Sequence, residues 1–364
     1  MIDRDRLIEI FLEVAKIEGL SCNERGVADY IRNFMKPLGV SVEEDDTAKI
    51  TGGNSGNLIC KVGSGGSFAL LAHMDTARST GTLQPQVIED RICSDGTTIL
   101  GADDRAGVAV ILYAVETAVK HKMQYPDFTA GFTVCEETTL AGSLNLQFDD
   151  NIQMAFVLDS SKRPGNIISQ SYGAQAFRAR FIGKASHSGV APEKGISAIA
   201  AAAKGISEIQ LGRLDDITTA NIGKMNGGTA TNVVPAETFL EGEARSLDPA
   251  KVEAVIANIQ EKFQSAADAF GATLEFEANW EFRPYHLKPD MPAYRRAVKA
   301  VSDAGLAPVA AITPGGSDAN SLNANRFPAV NFGIGAQNPH SNDEFILLED
   351  LQKTAEIALA LIKG

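Results

Sequence analysis

The segment Leu100–Gly107 reads Leu-Gly-Ala-Asp-Asp-Arg-Ala-Gly, so that two adjacent carboxylates, Asp103 and Asp104, precede an apolar run over 108–115. A run of this length predicts a buried helix, and the two acids then stand where a loop enters that helix. Negative charge is favoured there, because free backbone N–H groups and the helix dipole point at it. The pair by itself also fits an N-cap aspartate with a solvated neighbour. The interpretation therefore depends on the residues that accompany it.

The composition is that of an ordinary globular chain, with 44% hydrophobic and 22% charged residues. A chain of 364 residues exceeds what one hydrophobic core comfortably serves, which predicts two domains. The net charge of −13 argues against nucleic acid and anionic membranes as partners, because both are bound through basic patches.

The cysteines and the N-terminus predict a cytoplasmic location. None of the 4 cysteines lies in a C-x-x-C pair, so we expect reduced thiols in a reducing compartment. The first residues, Met-Ile-Asp-Arg-Asp-Arg-Leu, are charged and are not followed by the apolar core of a signal peptide. No apolar run approaches the ~20 residues of a membrane span.

Short apolar runs typical of buried strands alternate with helical patterns along the chain. The runs are Asn57–Val62, Phe68–Ala72, Gly131–Cys135, Met154–Leu158 and Ala329–Ile334. The alternation predicts an α/β fold, with a mostly parallel central sheet in a three-layer domain.

The pattern changes near residue 168. Strands are predicted at 172–183, 218–225, 238–245 and 273–282, with helices at 196–211 and from Asp248-Pro249 onward. The order βαββαβ is typical of a ferredoxin-like α+β unit. We therefore expect a discontinuous first domain, 1–168 plus 283–364, and an inserted domain at 169–282.

Polar residues that can bind metal follow several of the predicted strands. In open α/β sheets, ligands bind beyond the carboxyl ends of the strands. The candidates at these ends, together with Asp103 at its helix start, are His73, Asp75, Glu136, Glu137, Asp159 and His340. Mixed histidine and carboxylate donors suit Zn²⁺ or a similar divalent ion. So many donors indicate two ions, ~3.5–4 Å apart, that activate a water.

Two roles follow from chemistry alone. Asp75 lies two residues after His73, near enough to accept the second N–H of the imidazole. Adjacent residues point in different directions, so one of Glu136 and Glu137 binds metal while the other acts as general base. Spacing alone does not say which.

Five motifs together resemble the cocatalytic zinc exopeptidases, the family that includes peptidase T, carboxypeptidase G and acyl-amino-acid deacetylases. The resemblance spans nearly the whole chain and is nearest to the peptidase T-like branch. The motifs lie at 72–76, 101–107, 136–137, 228–235 and 315–320.

The resemblance implies a role for each metal-site residue. Asp103 bridges both ions and is joined to Asp104, outside the first coordination sphere, by a cis peptide bond. His73 and Asp159 complete one site, and Glu137 and His340 complete the other. Glu136 is then the general base. The ions are two divalent metals, Zn²⁺ first, with Co²⁺ or Mn²⁺ as alternatives.

The resemblance also assigns functions to the inserted domain, as a lid and as the surface of a homodimer. His187 resembles the histidine that reaches the partner subunit's site and polarises the scissile carbonyl. Asn232 and Arg245 resemble residues that bind the substrate, and an arginine fork suits a carboxylate. The alternative interpretation is that Arg245 forms a salt bridge at the end of its strand. Gly315, Gly316 and Ser317 resemble a substrate-facing loop with backbone donors.

The leading hypothesis is a metal-dependent exopeptidase that hydrolyses short peptides, similar to a tripeptide aminopeptidase. The alternatives are an amidohydrolase, deacylase or carboxypeptidase acting on N-acyl amino acids, and a non-catalytic homologue. Every inferred ligand is present in the sequence, which weakens the case for a non-catalytic homologue. A serine hydrolase, a single-zinc H-E-x-x-H enzyme and a P-loop protein are not favoured, because their motifs are absent from the sequence.

Overall fold

The computed structural model describes residues 2–121 and 126–364. The helices are α1 Arg4–Ala15, α2 Arg25–Met35, α3 Thr47–Thr51, α4 Ala102–Lys120, α5 Glu136–Thr139, α6 Ala141–Asn145, α7 Ala198–Ser207, α8 Pro249–Phe270, α9 Pro292–Asp303, α10 Asp318–Ala324 and α11 Leu348–Lys363. Within the described ranges, none of these helices combines the length and the apolar character that crossing a bilayer requires.

The strands form three sheets. They are β1 Ser41–Glu44, β2 Leu58–Val62, β3 Phe68–His73, β4 Gln86–Ile88, β5 Arg91–Cys93, β6 Phe128–Thr133, β7 Met154–Ser160, β8 Asn166–Ser171, β9 Gly173–Ile182, β10 Gly212–Asp215, β11 Thr218–Gly227, β12 Glu237–Ser246, β13 Thr273–Phe282, β14 Tyr285–His286, β15 Val309–Thr313, β16 Ala329–Gly333, β17 Ala336–Gln337 and β18 Phe345–Leu347. Short helical turns of the 3-10 type lie at Lys36–Leu38 and Pro192–Lys194.

The chain divides into two compact units. The large unit comprises Met1–Gln170, His286–Thr313 and Ser317–Gly364, and the small unit comprises Ser171–Tyr285 and Pro314–Gly316. The short return of the chain at 314–316 was not expected from the sequence. It belongs to the small unit because the Ser171 hydroxyl donates to the carbonyl of Gly315 (3.0 Å) and Arg245 Nη1 donates to that of Pro314 (3.1 Å).

The large unit is built on a sheet of order β1-β2-β6-β3-β7-β16-β8-β14, with β15 paired to β8. Its four central strands, β6, β3, β7 and β16, run parallel, whereas β1, β2 and β8 pair antiparallel with their neighbours. Every residue of β3 is buried, as expected for a strand covered on both faces. The predicted α/β class with a mostly parallel sheet is confirmed.

Two features of the large unit differ from the sequence-based expectation. β6 begins at Phe128, three residues before the predicted run, and the chain has left the strand at Cys135, where φ is +53°. A second, four-stranded sheet of order β17-β18-β5-β4 lies partly in the segment 335–346, where the sequence pattern predicts no strand. Strands of two or three residues are too short to show the alternation by which a strand is recognised.

The small unit is an antiparallel sheet of order β10-β11-β12-β9-β13. Without the edge strand β10, its chain order is βαββαβ, which confirms the predicted ferredoxin-like arrangement. The helices α7 and α8 pack on the sheet around Phe177, Phe181 and Phe263. Residues of β13 alternate between exposed and half-buried, as in a strand with a solvated face.

Candidate metal centre and active site

The start of α4 places Asp103 between two histidines. Asp103 and Asp104 are joined by a cis peptide bond and have non-helical dihedral angles, so helical geometry begins at Arg105. Oδ1 of Asp103 lies 3.2 Å from Nε2 of His73, and Oδ2 lies 3.6 Å from Nε2 of His340. One carboxylate therefore turns one oxygen to each imidazole.

Parallel strands bring the first group of donors together. His73 is the last residue of β3, and Asp159 lies near the end of the neighbouring strand β7. His73 Nε2 is 4.0 Å from Oδ1 of Asp159 and 3.8 Å from Oε2 of Glu136. The strand ends therefore deliver these side chains to one edge of the sheet, as predicted from their positions.

The second group of donors comes from the short helix α5 and from the loop that follows β17. His340, in a left-handed conformation at φ +64°, places Nε2 3.0 Å from Oε2 of Glu137. The Glu137 side chain is 6% exposed and that of His340 is 48% exposed, so this side of the site is the more open one. The structure thus brings the five predicted ligands and Glu136 to one place.

The electrostatics of this group favour cations. Burial and the charges of Asp159, Asp318 and Glu137 raise the pKa of Glu136 well above its ordinary value, against the opposing effect of His73. Burial lowers the pKa of His73, but the surrounding carboxylates outweigh burial and raise it. Hydrogen bonds with Asp103 and Glu137 raise the pKa of His340 to about 10.

The residues fit divalent metal ions. Donor atoms of His73, Asp103 and Glu137 lie within 4.8 Å of one another, and so do those of His73, Asp104 and Asp159. Oε1 of Glu137 is buried without a hydrogen-bond partner among the described residues. A buried carboxylate oxygen requires a hydrogen bond or a cation, and imidazole with carboxylate is a donor set that Zn²⁺ accepts.

Asp104 is close to the site but is occupied otherwise. Its Oδ2 accepts the backbone N–H of His73 (3.2 Å), and its Oδ1 accepts that of Gly107 (3.1 Å). Burial raises the pKa of Asp104 well above its ordinary value. Asp104 therefore holds the end of β3 against the start of α4, and we do not count it among the ligands.

Asp75 connects both groups of donors. Nδ1 of His73 lies 3.0 Å from the backbone carbonyl of Asp75 and 3.4 Å from its Oδ1, so the imidazole N–H faces the predicted carboxylate and, nearer still, the carbonyl. The carboxylate also accepts the backbone N–H groups of Glu136 (3.0 Å) and Glu137 (3.1 Å). Asp75 is therefore a positioning residue for His73 and for the turn that carries both glutamates.

Two buried acids near the site were missed by the sequence reasoning. Glu344 accepts the backbone N–H groups of Gly101 and Asp103, and burial raises its pKa to about 7. Asp318 accepts the hydroxyl of Thr133. Asp318 lies within the 315–320 motif, which was a usable signal, whereas Glu344 precedes a strand too short to recognise.

In the small unit, the loops of His187 and Asn232 lie side by side. Residues His187 and Val233 form a β-bridge, and Ser188 N donates to the carbonyl of Asn232 (3.0 Å). Nδ1 of His187 accepts the backbone N–H groups of Gly189 (3.1 Å) and Val190 (3.2 Å). In the neutral imidazole, the ring hydrogen must then sit on Nε2, for which the described part of the chain provides no acceptor.

The other predicted substrate-binding residues are engaged within the protein. Arg245 donates from Nε and Nη2 to the two oxygens of Glu243, at 2.8 and 2.9 Å. This salt bridge occupies the fork that was predicted to bind substrate. Gly316 packs so closely on Phe282 that an added Cβ would lie 2.7 Å from the ring.

The position of Ser317 corrects the prediction that it offers a backbone donor in a substrate-facing loop. It is buried and forms the N-cap of α10. Its backbone N–H donates to Oδ1 of Asn320 at 3.0 Å, and its hydroxyl is 3.4 Å from the same atom. A residue that caps a helix in this way has no donor left for a substrate.

Comparison with known proteins adds independent information. Residues 170–270 match the M20 peptidase dimerisation domain, and residues 89–184 match the M42 glutamyl aminopeptidase family. The chain is 36% identical to the uncharacterized protein YqjE of Bacillus subtilis, over 100% of this chain and 99% of that protein. It is 35% identical to the crystal structure of aminopeptidase PepT from Bacillus cereus, with a TM-score of 0.90 over 100% of this chain and 98% of the other. For a tripeptidase from Staphylococcus aureus, the identity is 32% and the TM-score 0.93, again over 100% and 98%.

The chain combines an α/β unit with an inserted ferredoxin-like unit, and it is similar over its full length to solved peptidases. These features define a hydrolase of the peptidase class. The chain belongs to peptidase family M20, in its peptidase T-like branch. The family resemblance drawn from the sequence motifs is thereby confirmed.

Proposed function

We propose that this chain is a metal-dependent exopeptidase that hydrolyses short peptides, with tripeptides as its first substrate class, and that it holds two divalent ions, Zn²⁺ first. The observation that carries the proposal is the Asp103 carboxylate, with one oxygen 3.2 Å from His73 and the other 3.6 Å from His340. The full-length similarity to an aminopeptidase and a tripeptidase supports the substrate class. The free thiols of all four cysteines support a cytoplasmic location.

His73 and Asp159 would hold one ion, Glu137 and His340 the other, and Asp103 both. When bound, such ions polarise a carbonyl oxygen and lower the pKa of a water. A shared carboxylate needs both of its oxygens directed at different sites, and Asp103 meets that condition. The positions of these groups depend on Asp75 and Asp104, which hold the backbone of the ligand segments.

Glu136 is the residue we assign as general base. Oε2 of Glu136 lies 3.8 Å from Nε2 of His73, which is longer than a hydrogen bond. Oε2 of Glu137, by contrast, lies 3.0 Å from Nε2 of His340. Glu136 is thus the glutamate of this turn that is not committed to a histidine. It can take a proton from a water and return it to the leaving amine.

Metal removal tests the proposal directly. We expect protein dialysed against a chelator to lose tripeptide hydrolysis and to regain it on titration with Zn²⁺, Co²⁺ or Mn²⁺, with two ions per chain at saturation. Metal content is measured by elemental mass spectrometry beside the assay. Full activity of chelator-treated protein that contains no metal would refute the proposal.

A substrate panel decides between the peptidase and its same-class alternatives. We expect cleavage of free tripeptides, with weaker or no cleavage of N-acyl amino acids, measured by chromatography of the products. Release of the free N-terminal residue identifies an aminopeptidase. Preferential cleavage of N-acyl amino acids would instead show a deacylase, while leaving the metal site unchallenged.

We further propose that the small unit forms a homodimer and that His187 serves the partner subunit's site. The match of residues 170–270 to a dimerisation domain and the free Nε2 donor of His187 support this role. We expect His187→Ala to lower kcat by about 10²–10³-fold, the range for losing one donor to a developing oxyanion. Light scattering should show an unchanged dimer, and a fully active His187→Ala dimer would exclude the role.

A further inference from the structure

Glu344 holds the loop of the bridging aspartate. It is the residue before β18, and its exposed fraction is 1%. Its Oε2 accepts the N–H of Gly101 (2.7 Å), and its Oε1 accepts the N–H of Asp103 (3.1 Å). The two carboxylate oxygens therefore straddle Ala102 and set the direction in which the backbone enters Asp103.

The same residue ends the loop that carries His340. The N–H of Glu344 donates to the carbonyl of Ser341 (3.2 Å), and its own carbonyl accepts the N–H of Ser94 (3.2 Å), the residue after β5 of the four-stranded sheet. His340 lies four residues before Glu344 and is half-exposed, so its position depends on this loop. Glu344 thus joins two ligand segments that are far apart in the chain.

Other carboxylates near the site also accept backbone N–H groups of the ligand segments. Asp104 accepts the backbone N–H of His73, and Asp75 accepts those of Glu136 and Glu137. Charge-assisted hydrogen bonds of this kind are about twice as strong as neutral ones. Glu344 is the corresponding carboxylate for Asp103, and it also ends the loop that carries His340.

We propose that Glu344 is a positioning residue for the ion held by Glu137 and His340, because it fixes the backbone of Asp103 relative to the loop that carries His340. The inference rests on the two-metal function proposed above. The ion beside His73 and Asp159 should depend on Glu344 less, since parallel strands and Asp104 position its two ligands other than Asp103.

The test is metal titration of Glu344→Gln in competition with a chelator, using Zn²⁺ and the visible spectrum of Co²⁺. The amide keeps the size but offers one acceptor oxygen for two N–H donors. We expect the site of Glu137 and His340 to lose about 10–100-fold in affinity, the usual effect of removing a partner outside the coordination sphere. The site of His73 and Asp159 should lose less.

Glu349→Gln is the matched control, since Glu349 is exposed and lies on α11. Glu344→Asp keeps the charge but shortens its reach, and it is the second variant should Glu344→Gln not fold. Equal weakening of both sites, or of neither, would overturn the proposal. Wild-type protein that binds no ion pair would instead refute the proposed function, so the two failures are distinguishable.

Discussion

Glu136→Gln is expected to lower kcat by about 10²–10⁴-fold, the usual contribution of a positioned general base. The amide cannot accept a proton from water, but it keeps the shape of the side chain. Metal content should stay at two ions per chain, because Glu136 is not among the proposed ligands. Steady-state kinetics on a tripeptide and elemental analysis of the same sample check both parts.

Glu137→Gln is the matched control for this prediction. The two glutamates are adjacent, and Asp75 accepts the backbone N–H of each, at 3.0 and 3.1 Å. Only Glu137 contacts His340 within hydrogen-bond distance. Glu137→Gln should therefore weaken metal binding, whereas Glu136→Gln should not. Weaker metal binding in Glu136→Gln but not in Glu137→Gln would exchange the two assigned roles. Wild-type turnover of Glu136→Gln would exclude Glu136 as the general base.

Asp103→Ala is expected to abolish activity and to weaken both metal sites at once. A shared ligand contributes to each ion, and its loss also removes the one carboxylate that faces both His73 and His340. Isothermal titration with Zn²⁺ should show no pair of tight sites, and activity should stay at background at any accessible metal concentration.

Asp46→Ala provides the control for general effects of removing an acid, because the Asp46 side chain is 81% exposed and lies far from the ligands in sequence. It should bind metal and turn over substrate like the wild type. Two tightly bound ions in folded Asp103→Ala protein would show that Asp103 does not bridge the sites. Folding of each variant is checked by thermal unfolding without metal.

The fold and the proposed ligand set could be predicted because both depend on local rules. The buried strand 68–73 is apolar until it ends on His73, and β7 likewise delivers Asp159, so a strand end identifies a donor. The carboxyl ends of parallel strands share one edge of a sheet, which brings donors of distant segments together. The helix after Asp103 was recognisable by its apolar length.

Other assignments could not be made because each group has several possible partners within a few residues, and spacing does not say which of them it meets. Arg245 was predicted to bind substrate, and the structure pairs it with Glu243 on the same strand, which is the salt bridge that the sequence left open. Ser317 was predicted to lie in a loop, but it caps a helix of 7 residues. For the His73 N–H, the backbone carbonyl of Asp75 is nearer than the Asp75 carboxylate by less than 1 Å.

The sequence by itself predicted which residues can bind metal and which strands carry them, and it predicted an inserted ferredoxin-like unit but not its return at 314–316. Periodicity, strand ends and donor chemistry are properties of short segments. Only the tertiary structure decided that Asp103 faces both histidines and that Glu344, 241 residues away, holds its backbone. The physical reason is that a buried carboxylate is stable only where backbone N–H groups or cations meet it, and the fold alone brings those groups together.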